Sequence, residues 1–225
     1  MEAVKQDGWA LEFVENQTNE ICLEAVKENG WVLKYVKNQT DFICLEAVKK
    51  NGLALQFVKN QTDLLCLEAI KRNELALQFV KNQTPEICLE AVKKDGLALK
   101  YVKAENQTEA VCLEAVKQDV NALPYIKNQT DEICLRAVKQ NGYSLQYIKN
   151  QTDTLCLEAV KNTPWALQYV RNQTETICLQ AVKQNQNVFP YVKNKTKSIC
   201  LEVEKQKNNV LQYMINQIKT VSESQ

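Results

Sequence analysis

A chain of 225 residues with 45% hydrophobic and 24% charged residues has the make-up of a folded protein rather than a disordered one. Its 28 basic and 27 acidic residues leave a net charge of +1, which gives no bulk attraction to nucleic acid or to an anionic membrane. There is no histidine, so the commonest general base and the commonest zinc ligand are both missing; no catalytic residue, metal, cofactor or small-molecule substrate is expected.

The start, Met1-Glu2-Ala3-Val4-Lys5, lacks the apolar stretch of a signal peptide, and no apolar run approaches the roughly 18 residues of a membrane helix. A cytoplasmic or equally reducing location is therefore expected. Met1 holds the position taken by Leu23 further on, so residues 1–18 read as a truncated first repeat that either exposes a layer or is cut from a longer array. From there cysteine falls at 22, 44, 66, 88, 112, 134, 156, 178 and 200. Every interval is 22 residues except one of 24, where the pair Ala104-Glu105 is inserted. Residues 19–196 are regular repeats, 197–220 a degenerate last one, and 221–225 a frayed polar tail. The whole chain, 1–225, reads as a single all-α solenoid of about ten 22-residue two-helix units.

Each unit supplies its own punctuation. Thr precedes the first helix at 18, 40, 62 and onward, often followed by Asp, Glu or Pro, as an N-cap should be. Asn, Asp or Thr recurs between the helices at 7, 29, 51, 73, 95, 119, 141, 163 and 185, often before Gly, which closes the first helix and caps the second. Thr163-Pro164 marks a second-helix start directly. In Asn121-Ala122-Leu123-Pro124 and Asn187-Val188-Phe189-Pro190 the proline comes later, which predicts a cap moved two residues along. The first helix carries Ile21, Cys22, Leu23, Ala25 and Val26, an arc too wide for one buried face, so it needs neighbours on both sides. The second helix presents Phe or Tyr once per unit, from Phe13 to Tyr213. A unit alone is too small to fold; stacking supplies the missing burial.

The repeated features have bland readings that outweigh the sharp ones. Single cysteines 22 residues apart match no zinc pattern, and their backbones would lie beyond disulfide reach on successive layers. They read as small core residues. The recurring Asn-x-Thr (Asn16-Gln17-Thr18 onward) matches a glycosylation sequon but reads as turn and cap chemistry. Two lysine rows (Lys27, Lys49, Lys71, Lys93 and Lys37, Lys59, Lys81, Lys103) could track a phosphate backbone. Glu24, Glu46, Glu68 and Glu90, three residues before the first row, instead favour structural charge ladders.

Specificity in a repeat protein is written at the positions that vary. One opens the second helix (Trp9, Trp31, Leu53, Leu75, Leu97, Asn121, Tyr143, Trp165, Asn187), and another lies three residues on (Glu12, Lys34, Gln56, Gln78, Lys100, Pro124, Gln146, Gln168, Pro190). Trp9, Trp31, Lys34, Gln56, Gln78, Lys100, Tyr143, Gln146, Trp165 and Gln168 are the expected partner-binding residues, the alternative being rings packed between layers.

The string CLEAVKxNGxALQYVKNQT closely resembles a helical repeat family of uncharacterised function, abundant in giant viruses of amoebae and found in some microbes. The resemblance spans essentially the whole chain and implies an array made in host cytoplasm. It brings no activity or binding residues with it. The expected role is a non-enzymatic scaffold for a protein partner, with end-to-end self-association or nucleic-acid binding along the lysines as alternatives.

Overall fold

The computed structural model describes residues 1–208. The end of the degenerate repeat, the aromatic position at Tyr213 and the tail at 221–225 lie outside them. Helices are the only regular elements among the described residues, and the chain divides into two compact units, Met1–Asn128 and Gln129–Gln225. Each unit is a stack of the same layer, an all-α repeat solenoid.

The layer follows from its caps. In α3 (Asp41–Lys50) the Thr40 hydroxyl accepts the Ile43 N–H at 3.3 Å, and Asp41 sits in the first turn. Lys49 and Lys50 occupy the last turn, where cations suit the exposed carbonyls. The helix ends at Asn51, whose N–H still reaches the Ala47 carbonyl at 2.9 Å although its backbone is extended (φ −148°, ψ 112°). The Asn51 side chain then accepts the Leu53 N–H at 3.0 Å, so a single residue ends one helix and starts the next. Glycine closes nothing here: no residue with a left-handed φ occurs among those described.

The second helix is not α-helical. It is a six-residue 3-10 helix, Gly52–Phe57 in this layer, and the same holds in every layer from Gly8–Phe13 to Gln186–Tyr191. Gly52, Leu55 and Val58 explain why. They recur every third residue and are all buried, and a 3-10 helix, with three residues per turn, stacks them on one face.

Two expectations are corrected. Pro124 and Pro190 do not move the cap; Asp119 and Asn185 still accept from Asn121 and Asn187, and each proline stands inside its 3-10 helix. Both prolines occupy an exposed position, so the backbone bond they forgo faces water. The buried arc of the first helix is also narrower than its sequence suggested. Ile43, Cys44, Ala47 and Val48 are buried, whereas Leu45 is half-exposed. Ala104-Glu105 adds a single 3-10 turn, Ala104–Asn106, without side-chain burial.

Candidate interaction surface

The 3-10 helices place the variable residues on one face of each layer. The glycine that follows the N-cap lies against the next layer, and the variable residue after it stays partly open to solvent. A Cβ on Gly30, Gly52 or Gly142 would strike the carbonyl oxygen of Ala47, Ala69 or Ala159, closer than real Cβ contacts come. Trp9 and Tyr143 are accordingly 39% and 37% exposed, and Trp31 and Trp165 half-buried.

These rings do not stand alone. Within the first unit Trp9 meets Tyr35 of the next layer edge-on at 6.0 Å, and Trp31 meets Phe57 at 5.9 Å. Within the second, Tyr143 meets Tyr169 at 6.2 Å and Trp165 meets Tyr191 at 5.8 Å. Such pairs keep one edge or face packed and leave the rest open. The Lys34 ammonium lies 4.8 Å from the Trp9 ring centre and 4.6 Å from that of Tyr35, and Lys100 covers Tyr101 at 4.8 Å. The glutamines of the second variable position are engaged differently. Gln56, Gln78, Gln146 and Gln168 fold back to donate to the carbonyls of Leu53, Leu75, Tyr143 and Trp165, at 3.0–3.1 Å. Within each unit the sequence-expected residues lie on the 3-10 helices, and the aromatic ones, with Lys34 in the first unit, form the joined clusters.

The residue that sequence reasoning missed is the glutamine of Asn-Gln-Thr. Gln61 donates to the Leu55 carbonyl (3.2 Å) and to the Phe79 carbonyl of the following layer (2.9 Å). Its oxygen accepts the Lys81 N–H of that layer at 2.9 Å and the Cys66 thiol at 3.9 Å. All four hydrogen-bonding sites of a carboxamide are used. Gln17, Gln39, Gln151 and Gln173 repeat the arrangement. Gln107 does so past the insertion, taking the Val102 carbonyl as its nearer acceptor. The signal was present as a glutamine before every capping threonine from 17 to 173.

The second lysine row is built into the stack and the first only in part, since Glu68 pairs with Arg72 at 3.1 Å rather than with Lys71. In the first, Lys27, Lys49, Lys117 and Lys161 pair with the glutamates three residues before them, at 2.8–3.2 Å. In the second, Lys59 donates to the Lys37 carbonyl at 2.8 Å, Lys81 to Lys59 at 2.7 Å and Lys103 to Lys81 at 2.8 Å. Arg171 and Lys193 do the same in the second unit. Each cation of this second row binds a carbonyl just beyond the end of the 3-10 helix in the preceding layer. The thiols from Cys22 to Cys178 are buried and unpaired. Burial pushes Cys44, Cys66, Cys88, Cys112 and Cys156 up to about 11, far from the range of a reactive or metal-binding thiolate. Among the described residues no helix is long and apolar enough to cross a membrane, and no cluster of acidic or thiol ligands is gathered.

The layers with their glutamine joints and aromatic face define an all-α repeat protein. The chain belongs to the family described as a domain of unknown function, DUF4116, whose model matches it seven times in overlapping stretches, at residues 1–40, 18–61, 64–107, 84–130, 108–152, 131–174 and 153–197. Each stretch spans two layers, which agrees with joints that always involve two. No curated protein and no solved structure matches the chain.

Proposed function

We propose that this protein is a non-enzymatic scaffold that holds a protein partner on the face formed by its 3-10 helices, in a reducing compartment such as host cytoplasm. The observation that carries the reading is the pairing of half-exposed rings in successive layers, Trp9 on Tyr35 and Trp31 on Phe57, with Lys34 stacked between Trp9 and Tyr35. Fixed, partly open aromatic rings with a cation beside them are what binding hot spots are made of, because little side-chain entropy is lost when they are covered. The carbonyl-bound second lysine row supports a structural role for that row rather than phosphate binding.

The test is capture from native host lysate with the tagged chain, at low and moderately high salt, read by mass spectrometry. A protein retained at both salts, and lost with Trp31→Leu plus Trp165→Leu, establishes the scaffold and identifies its partner. Nucleic acid alone, lost at high salt, overturns it.

A further inference from the structure

In the Asn-Gln-Thr that leads into the α-helices, two of the three residues are accounted for: the threonine caps the helix and the glutamine joins the layers. The asparagine is not. It recurs at 16, 38, 60, 82, 106, 128, 150, 172 and 194. Its side chain is exposed at all of these except Asn106, which is half-buried, and at none does it make a hydrogen bond among the described residues. Asparagine often serves a left-handed turn, but no described residue other than glycine has a positive φ, and neither does any glycine. The fold makes no use of this side chain, which leaves its carboxamide free for a ligand.

The free carboxamides flank cavities. In the first unit Asn38 and Asn60 line one of about 240 Å³, and Asn60 and Asn82 line the next, of about 290 Å³. In the second unit Asn150 and Asn172 line one of about 260 Å³. Asn60 belongs to both cavities of the first unit, so the two form one groove. We propose that the groove from Asn38 to Asn82 binds a polypeptide segment of uncharged polar residues. The main-chain amides of the segment pair with the asparagines and its side chains enter the cavities. No aromatic ring lines this groove, so the site goes beyond the ring clusters and does not depend on them.

The chemistry of the lining selects the ligand. Gln39 and Gln61 are spent on joining layers, and the Cys44 and Cys66 thiols donate to them at 3.7 and 3.9 Å. The Lys59 and Lys81 ammoniums are held by main-chain carbonyls. What remains is the asparagines and the carboxylates of Asp41 and Asp63, which have no partner among the described residues. A carboxamide donates and accepts at once, as a peptide group does, so the two join through a pair of hydrogen bonds. Each cavity also holds both signs of charge: Asp41 with Lys37 and Lys59, then Asp63 with Lys59 and Lys81. A charged guest of either sign meets a like charge, and a neutral one does not. A nucleic-acid backbone is opposed by the aspartates and finds the Lys59 and Lys81 ammoniums already engaged. Two cavities in a row suit a chain better than a single small molecule.

The experiment presents the full chain to a phage-displayed dodecapeptide library and re-tests the enriched sequences as fluorescein-labelled peptides by anisotropy. Saturable binding of peptides rich in Asn, Gln, Ser and Thr is expected. Asn60→Ala takes a wall from both cavities and should weaken binding about tenfold. The melting temperature of this variant should not change, because the side chain bonds nothing in the fold. Trp31→Leu with Trp165→Leu should leave the affinity as it was. Dependence on those tryptophans would assign the peptides to the ring clusters and overturn the proposal, while the scaffold reading would stand. A lowered melting temperature for Asn60→Ala would show that the asparagine is structural and overturn it as well. So would a selection that enriches nothing or only charged sequences, or binding indifferent to Asn60→Ala. Labelled single-stranded DNA that binds the chain and is lost with Asn60→Ala would overturn it in favour of nucleic acid.

Discussion

Gln173 and Lys195 hold the same position in successive layers of the second unit, and their side chains bond differently among the described residues. Gln173 donates to the Leu167 and Tyr191 carbonyls at 3.1 and 3.0 Å and accepts the Lys193 N–H at 2.9 Å and the Cys178 thiol at 3.6 Å. Lys195 sends its ammonium back to the Val192 carbonyl at 2.7 Å and lies 5.3 Å from the centre of the Phe189 ring. Its side chain has nothing with which to accept. The Cys200 thiol turns instead to the Lys195 main-chain carbonyl at 3.9 Å and is only half-buried, where Cys178 is 2% exposed. The chemical difference is small, but an ammonium only donates whereas a carboxamide does both. The layer joint depends on doing both.

Copying the Lys195 situation into a regular layer should produce the largest effect. Gln61→Lys strips partners from the Phe79 carbonyl and the Lys81 N–H, and removes the acceptor of the Cys66 thiol. At about 1–3 kcal/mol for each part-buried group left unpaired, a loss of about 3–4 kcal/mol is expected. Because coupling in a stack is between neighbours, guanidinium unfolding should split into two transitions rather than shift as one. A single transition with an unchanged midpoint would show that the glutamine is dispensable.

Thiol chemistry sharpens the same contrast. Cys156 is buried beside Gln151 and its pKa is pushed up to about 11 from an ordinary value near 9, by burial and then by Asp153. At pH 8 its thiolate fraction is lower by about a hundredfold before burial slows the reagent further. The half-buried Cys200 should be alkylated faster than the buried Cys156, as peptide mass spectrometry would resolve. The raised value also has a stability consequence. The folded state holds the proton more tightly than the unfolded one, so the contribution is fully present below about pH 9 and is lost as pH rises towards 11. Comparable rates at the two positions would mean that the layers open before reacting.

How much of this was legible in the sequence depended on whether a residue acts within its own layer. Thr40 and Asn51 bond residues two or three positions away, so spacing alone revealed them. Gln61 acts eighteen and twenty residues away, and nothing local marks it apart from its recurrence. The 3-10 geometry was visible in the three-residue spacing of Gly52, Leu55 and Val58. It was not drawn out because caps and apolar residues mark a helix without marking its pitch. On the candidate face, tryptophans at a variable position were found from sequence. Their pairing with rings 26 residues on was not, since it belongs to the packing of layers.

Gly52→Ala tests the closeness of the layers. The added methyl would meet the Ala69 carbonyl, with the Arg72 Cβ and Asn73 N–H at 3.1 Å. None of these can move without the following helix moving too. A loss of about 1–2 kcal/mol is expected from overpacking, smaller than for Gln61→Lys because a rigid-body adjustment relieves it. Glu74, at the same position one layer on, shows how a side chain is accommodated there: it reaches outward to pair with Lys94 at 3.4 Å. An unchanged melting temperature for Gly52→Ala would mean that the layers are free to separate.

The smallest effect has the opposite sign. Ser144 is 2% exposed and its hydroxyl has no partner, at a position where Ala54, Ala76, Ala98, Ala122 and Ala166 are fully buried. A buried hydroxyl without a hydrogen bond costs about 1–3 kcal/mol by mutational measures. Removing it leaves little void, because the neighbouring layers show that a methyl fills the same place. Ser144→Ala should therefore stabilise the second unit by about 1 kcal/mol, with no change in the first. Differential scanning calorimetry of the pair would resolve this if the units melt separately. If the variant is destabilised instead, the hydroxyl must have a partner, such as an ordered water in the joint between the Tyr143 and Trp165 layers.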